Sequence, residues 1–585
     1  MKMLKGFKYR LASILILAAV TFAVYYGSLG NGFVYDDAEQ VLRNKWITDI
    51  RYLPAIFTSH TFAFAEGSYQ AISYRPLFMA FYMLEYSLFG LNAWGWHLVN
   101  IILHAVNAVL VFLVLSRLLG REREGFAAYL PALAGALIFA ALPVNSEVVS
   151  WIGCVPELLY TSLALSAFYL YIGAEGSQGI LSRLLPALLF FLAVFTKETA
   201  VLLPVFLFAY DSAKGTKPFL SMGRLIRYLP FVIAGAVYIC LKMGLLGHVA
   251  APEKLHTNLK GTDYLINAFP LFTGYLKALL LPINDYPLQL FRPAASFAGV
   301  DVLVSVSIIS ALAIIIFLAR KKLDPLFFLG LAFIVIPLLP ALYAPAISRT
   351  PFADRYLYFP SIGLGLITAL SFRKILSARG ALIPALVLLI FATAVYSVWA
   401  RQRSFFWKDD RTLWARALEG SSSNYLALHS IGYMDLKEGR TDAAVTGLRE
   451  ALRLNNGSYY PDPTMLLLTR KVLAAAYHRN GFLKEAASEY SEVLRVEPED
   501  AVAGFNLGTI YEGQGHTNDA MELYSKAILF AKNPALSREI RIRLGDNYSR
   551  MGQKAEAAAN YEEALRLSPG DPSLINRLKV VGGGN

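Results

Sequence analysis

Long apolar runs alternate with short polar stretches up to about residue 400, at about 11–27, 96–116, 126–143, 158–173, 184–196, 199–210, 229–247, 301–319, 325–343, 356–372 and 381–399. A full membrane span needs roughly 17–25 residues. The pattern predicts eleven transmembrane helices, with the fifth and sixth runs short for the task. Two further apolar segments are expected to lie against the membrane instead of crossing it. One is "PLFMAFYMLEYSLFG" (76–90), which carries Glu85, and the other is "YLINAFPLFTGYLKALLLPI" (264–283). Either one, made a span, would invert every basic loop after it. Both read as interfacial or re-entrant helices, and "ITDIRYLPAIF" as a third.

Charge orients the spans. Alternation puts "MKMLKGFKYR", "RLLGRERE", "DSAKGTKPFLSMGRLIR", "RKKLD" and "FRKILSAR" on one side. All are short and rich in Lys or Arg, which marks that side as cytoplasmic. The N-terminus is then inside. Loops 28–95, 144–157, 248–300 and 344–355 fall on the other side, together with the C-terminal region.

After "RQRSFFWKDDRTLW" the spans end and a period near 34 residues begins. Gly432, Ala474, Gly508 and Gly545 align, as do Ala444, Ala486, Ala520 and Ala557, with Leu448, Tyr490, Tyr524 and Tyr561 next in each unit. This pattern resembles the tetratricopeptide repeat: small residues where paired helices approach, aromatics between them. Four such units stack into an α-solenoid with a concave face suited to an extended peptide or a protein partner. A plain spacer or an oligomerisation surface is the competing use, since repeat fold alone does not fix function. The predicted domains are a membrane domain over 1–400 with its long first loop at 28–95, a linker over 401–424, the repeats over 425–572 and a tail over 573–585.

Composition agrees with this reading. Of 585 residues, 56 % are hydrophobic and only 16 % charged, against about 25 % charged in soluble domains. The net charge of +12 lies largely in short loops between spans, so it argues for topology and against a nucleic-acid partner. Two cysteines, Cys154 and Cys240, make neither a disulfide framework nor a metal or redox motif. The first apolar run reads as a retained anchor.

Candidate chemistry gathers on the outer side. "NGFVYDDAEQ" places the adjacent acids Asp36 and Asp37 just beyond the first span, beside Phe33 and Tyr35. A cap or a salt bridge to Arg43 or Lys45 is the ordinary use of such acids. Two neighbouring carboxylates near a low-dielectric surface, however, raise the pKa of at least one. The same side carries Arg75 in "SYRPLF", His97 in "WGWHLVN", Glu147 and Glu157 in "VNSEVVSWIGCVPELLY", Lys197 and Glu198 in "FTKETA", and Arg349, Asp354, Arg355 and Tyr356 in "RTPFADRYLYFPS". Charges at this depth are costly unless paired or functional. Together they suggest a site in which Arg75, Lys197 and Arg355 grip a phosphate. A carboxylate there could accept a proton from a hydroxyl, and the cations could stabilise a departing phosphate. Glycosyl transfer through an oxocarbenium-like state fits this layout, and a single carboxylate opposite the phosphate implies inversion. His104 and Asn107, one turn apart within a span, read as interhelical hydrogen-bond glue. Trp399, Phe405, Phe406 and Trp407 read as an interfacial aromatic belt.

The acid pair in a long first outer loop resembles the GT-C glycosyltransferases. In order, "FVYDD", "YRPL", "HLVNIILHAVN", "VNSEVVSWIGCVPELL", "TKET" and "DRYLYFPSIG", with the repeats after them, resemble the transmembrane-and-TPR-containing (TMTC-type) protein O-mannosyltransferases and their bacterial relatives. The resemblance covers nearly the whole chain. It implies an all-α, polytopic GT-C membrane domain plus a tetratricopeptide solenoid. It also implies a polyprenyl-phosphate-linked sugar donor and inverting transfer to Ser or Thr. By motif position the catalytic acids fall on Asp36 and Asp37. His97, Glu147, Glu157, Glu198 and Tyr356 would support the site or the acceptor. The lipid A-modifying transferases carry a basic residue before Pro-Pro-Leu; here Arg75 precedes Pro76 and Leu77. "VNSE" stands where relatives often have a His-Pro pair. No DxD motif is present, and no metal or other cofactor is expected to be required.

The expected function is therefore a membrane glycosyltransferase, with the repeats presenting a protein acceptor or partner. Transfer to a lipid or glycan, and a non-catalytic scaffold, are the alternatives. A transporter fits poorly, because no ionisable chain crosses the spans. The expected location is a bacterial inner membrane, with the repeats in the periplasm.

Overall fold

The computed structural model describes residues 2–65, 73–120, 125–174, 179–215, 222–248, 262–282, 286–291, 293–342, 352–458 and 461–582. Arg349, expected near the site, lies outside the described residues. The described chain is helical, with no strand, and divides into two compact units, Met1–Ser422 and Ser423–Asn585.

In the first unit each of the eleven apolar runs lies largely in helix. Seven helices among the described residues are long and apolar enough to cross a bilayer: Phe7–Gly30, Ala93–Leu119, Ile152–Gly173, Leu225–Leu246, Val300–Ala319, Pro325–Leu342 and Leu382–Trp407. The pair Leu130–Ala141 and Pro143–Ser150, bent by 50°, makes an eighth if it is one broken span and a re-entrant loop if it is not. The count falls below eleven for local reasons. Ile180–Thr196 has 17 residues and Leu203–Ala213 has 11. Pro360–Leu376 ends in Arg373 and Lys374. The segment at 76–90 forms the short apolar helix Pro76–Phe89.

Two glycine contacts set the packing. A Cβ on Gly135 would stand 2.2 Å from the Gly365 carbonyl oxygen, and one on Gly363 would stand 2.3 Å from that of Gly330. Helix Pro360–Leu376 therefore touches its neighbours backbone to backbone on both sides, the close approach that small residues permit between helices in lipid.

The bend at Pro143 brings polar groups into the apolar layer. Proline has no N–H to continue the ladder, and the chain breaks into the short turns Pro143–Asn145, Ser146–Ser150 and Ile152–Cys154. Backbone groups freed at membrane depth need partners, and side chains supply them. Asn145 Nδ2 donates to Phe139 O (2.8 Å), Asn100 Nδ2 to Trp151 O (3.0 Å) and Asn107 Nδ2 to Leu158 O (3.0 Å). His104 lies between Ala140 O (3.1 Å) and the Tyr358 hydroxyl (2.7 Å). His104 and Asn107 thus act as interhelical glue that holds the broken segment.

The stretch 401–424 is largely helical, with Leu382–Ser404 running into it and Asp410–Gly420 after that. In the second unit, paired helices start at side-chain caps: Asn424, Asp462, Asp500 and Asn533 each accept a backbone N–H of the helix that they open. The aligned glycines pack under the aligned aromatics. A Cβ on Gly508 would meet Tyr524 at 2.6 Å, and one on Gly545 would meet Tyr561 at 2.5 Å. Residues 572–581, read as part of a tail, form a last helix capped by Asp571. Its Leu574 and Val581 close the final repeat's core against Tyr561.

Candidate functional site

The acid pair sits on a forced turn. Tyr35 has φ +56°, a left-handed conformation that a bulky residue rarely adopts and that neighbours must impose. The Tyr35 N–H donates to Asp410 Oδ1 at 2.8 Å. Its ring packs on Trp151 (5.4 Å) and Trp414 (5.7 Å). The turn sends the two acids into different surroundings. Asp37 is fully buried; its Oδ2 accepts the Val34 N–H and its Oδ1 accepts Trp151 Nε1–H, both at 3.0 Å. Asp36 is exposed, and its carboxylate makes no hydrogen bond to another described residue. Its side chain is open to water, with protein packed densely beneath it.

The environment separates the two acids further. Burial pushes the Asp36 carboxyl up to about 6, with Arg355 pulling it down and Glu39 raising it. Burial pushes Asp37 well above the usual range; the Val34 N–H opposes this and Asp36 adds to it. The pair titrates as a coupled unit. Of the two, the open member, Asp36, gives up its proton more readily.

Trp151 links the acids to the cations. Its indole bonds Asp37, stacks on Trp407 (5.2 Å, 10°) and faces the Arg355 guanidinium at 5.7 Å. Arg355 Nη1 donates to Glu147 Oε1 at 2.8 Å. Lys197 Nζ donates to Glu157 Oε1 at 2.5 Å, with both side chains 8 % exposed. Tyr356 lies between these cations, its ring 5.0 Å from Arg355 and 5.6 Å from Lys197. Arg75 Nε donates to Glu198 Oε2 at 2.8 Å, and Lys242 approaches the other oxygen of Glu198 at 3.7 Å. Cys154 lies within electrostatic reach of Glu147, Glu157, Arg355 and Lys197 alike, and Arg75 within reach of Glu157. Residues from six separate stretches thus form one connected charged cluster.

Each cation expected to hold phosphate therefore already has a carboxylate partner. Arg355 and Arg75 each use one N–H on a described residue, so most of each guanidinium remains available. His97 stands apart from this set. It is fully buried, and its Nε2 meets the Gly32 carbonyl at 3.3 Å, which ties the first span's exit to the second span. Among the described residues, no three His, Cys, Asp or Glu side chains converge as a metal ion would need.

Several participants escaped the sequence reading. Trp407, read as part of an interfacial aromatic belt, is 2 % exposed and stacked on Trp151; Phe405 of the same run is 48 % exposed. Asp410, the clamp on Tyr35, comes from "WKDD", some 375 residues away from the turn it holds. Its doubled acid, like that of "YDD", is the only local hint. Asp354 pairs with Arg403, both buried. Glu85, on helix Pro76–Phe89, is 2 % exposed with neither carboxyl oxygen hydrogen-bonded, and it lies within electrostatic reach of Asp37.

Comparison with known proteins gives the same architecture. Tetratricopeptide-repeat profiles match residues 472–535 and 539–571. The chain is 23 % identical to the mouse Protein O-mannosyl-transferase TMTC3 over 97 % of its own length, and 26 % identical to the Caenorhabditis elegans Protein O-mannosyl-transferase F38B6.6 over 77 %. Over most of its length the chain is thus similar to TMTC-type proteins, and its C-terminal part carries tetratricopeptide repeats. It spans 65 % and 64 % of those two relatives' lengths. A shorter match, 32 % identical, covers 33 % of this chain and 22 % of the Drosophila melanogaster Protein O-mannosyl-transferase Tmtc1. Among solved structures, that of MamA covers 27 % of the chain and 85 % of its own at 20 % identity and a TM-score of 0.24; at that score it carries no argument.

Proposed function

We propose that this chain is an integral-membrane glycosyltransferase that moves a mannosyl unit from a polyprenyl-phosphate donor to a Ser or Thr hydroxyl, with inversion. The observation that carries the reading is the division of labour in the acid pair. Asp36 is open, unbonded and raised towards neutrality, while Asp37 is buried and bonded beside it. A general base needs a pKa near the working pH and access to the acceptor, and Asp36 has both.

In this mechanism Asp36 takes the proton from the acceptor hydroxyl as the oxygen bonds to the anomeric carbon. The bond from that carbon to the phosphate oxygen breaks, and polyprenyl phosphate leaves. The unused N–H groups of Arg355 and Arg75, with Lys197, meet the growing phosphate charge. Asp37 positions Asp36 through the shared turn, and Trp151 holds Asp37 in register with Arg355. Glu147, Glu157 and Glu198 fix the cations before the donor arrives. The repeats bind the protein acceptor or a partner on their concave face. The basic short loops face the cytoplasm and the site faces the opposite, extracytoplasmic side of a bacterial inner membrane.

The test is transfer by purified full-length protein from radiolabelled polyprenyl-phosphate mannose into a membrane-plus-periplasm extract. Label in a protein band is the expected result. Label confined to lipid would replace the protein acceptor with a lipid one. No transfer from any polyprenyl-phosphate hexose would overturn the reading.

A further inference from the structure

A second cluster of cations lies at the far end of the same helices. Helix Val155–Gly173 carries Glu157 at its start and Tyr171 near its end. Helix Ile180–Thr196 runs back, from Arg183 to Lys197 just beyond its last residue. In helix Met222–Leu246, Arg227 is at one end and Lys242, the partner of Glu198, at the other. In each case 14 or 15 residues of helix separate the two ends, on the order of 20 Å at 1.5 Å per residue. That distance is about two thirds of the ~30 Å thickness of a bilayer's apolar core, so the two clusters sit near opposite ends of the same helices.

Tyr171, Ala174, Ser182, Arg183, Arg227 and Phe231 line a small recess at that end, with a volume of about 10 Å³. This admits one oxygen-sized group. Its lining is unbalanced in charge. Arg183 makes no hydrogen bond or ion pair to a described residue, and its Nε is buried. Arg227 donates one bond, to the Tyr171 carbonyl at 3.3 Å, and lies over the Tyr171 ring at 4.2 Å. Among the described residues the lining holds no acid; nearby, Asp211 accepts the Tyr171 and Tyr228 hydroxyls on one oxygen, at 2.8 and 2.7 Å. Ser182 and Arg183 also belong to the first turn of their helix, where unpaired backbone N–H groups and the helix dipole favour an anion.

A buried guanidinium nitrogen without an acceptor is costly. Arg183 and Arg227 are themselves half-buried, so an anion at the recess mouth can reach both guanidinium groups while the buried Nε gains an acceptor. We propose that the recess between Arg183 and Arg227 binds a phosphate group, one oxygen seated in the recess and the rest at its mouth. The site lies at the helix ends remote from Glu157, Lys197 and Lys242 and is independent of the transfer reaction proposed above. An anionic lipid headgroup or free phosphate can supply this chemistry, and the experiment separates them.

Full-length protein is placed in nanodiscs of phosphatidylcholine alone or with phosphatidylglycerol, and its melting temperature is measured. In detergent, the same protein is titrated with inorganic phosphate and, separately, with phosphatidylglycerol. Arg183→Gln is expected to weaken binding of the anion about tenfold or more, as for loss of a charged hydrogen-bond partner. Ser182→Asp guards against a folding artefact: an acid in the first turn favours the helix but repels an anion from the recess, so it should also abolish the upward shift. Lys321→Gln, which removes one charge elsewhere on that face, should leave the shift intact. A shift with phosphatidylglycerol alone identifies a headgroup site, and a shift with inorganic phosphate as well identifies a site for the free ion. If both recess variants bind as wild type does, or if Lys321→Gln costs as much as Arg183→Gln, the proposal is overturned.

Discussion

Asp36→Asn and Asp37→Asn should fail for different reasons. Asparagine has the shape of aspartate. At position 36 no hydrogen bond to a described residue is lost, because the carboxylate makes none. The folded state should therefore change by no more than about 0.5 kcal/mol, the range of substitutions away from cores and networks. The transfer rate should fall by about 10²- to 10⁴-fold, the usual contribution of a positioned base. At position 37 both carboxyl oxygens accept, one from Val34 N–H and one from Trp151 Nε1–H. An amide offers only one acceptor, so a buried N–H must lose its partner at a cost of about 1–3 kcal/mol. Asp37→Asn should lower the melting temperature as well as the rate. The assay pairs label transfer from polyprenyl-phosphate mannose with a thermal melt of each variant in detergent. If Asp36→Asn transfers within threefold of wild type, Asp36 is not the base. If it melts as low as Asp37→Asn, Asp36 has a structural role that the turn geometry does not reveal.

Trp151→Phe keeps the ring over Trp407 but removes the Asp37 hydrogen bond; a loss of about 1–2 kcal/mol is expected by denaturant or thermal unfolding, and an unchanged midpoint would mean the bond contributes nothing. Glu85→Gln removes a buried, unbonded carboxyl that burial, and secondarily Asp37, pushes well above the ordinary value of 4.5. The wild type holds that proton when folded and releases it when unfolded above pH 4.5, so its stability should fall as pH rises from there, and the variant should lack that slope. Gly508→Ala would put a Cβ 2.6 Å from Tyr524, so overpacking of about 1–3 kcal/mol should appear in the melting of the full chain.

The fold was largely legible because its signals are local. Apolar runs mark helices whether or not each one crosses, and the small-residue and aromatic positions of the repeats recur within about one unit of chain. The span count was less legible. The break at Pro143 and the turns after it are satisfied by Asn100, Asn107 and His104 from another helix, which no window of hydropathy can register. The acids and cations of the site were visible as residue types at one membrane face. Their pairing was not: Arg355 with Glu147 and Arg75 with Glu198 are contacts across 208 and 123 residues. Trp151 was invisible as a linker because a tryptophan near an interface has an ordinary explanation, and only its geometry shows that it joins Asp37, Trp407 and Arg355.

The pairing of every site cation with an acid has a consequence for catalysis. In the proposed reaction, a donor phosphate would enter a cluster whose charges are already matched, so its charge would have to be absorbed without breaking the pairs. A guanidinium can do this: Arg355 gives one N–H to Glu147 and can present others to the phosphate in a fork. Arg355 is also the cation that holds down the Asp36 carboxyl. Phosphate bound to Arg355 screens that pull and brings a second negative charge near Asp36, and both effects raise the pKa of the base. The profile of kcat/KM, which reports the free enzyme, should lose activity about tenfold per pH unit below about 6. The profile of kcat, which reports the donor complex, should bend at a higher pH than that. Coincident bends would show that the donor phosphate does not neutralise Arg355 beside Asp36, and its grip would then have to fall to Arg75 and Lys197.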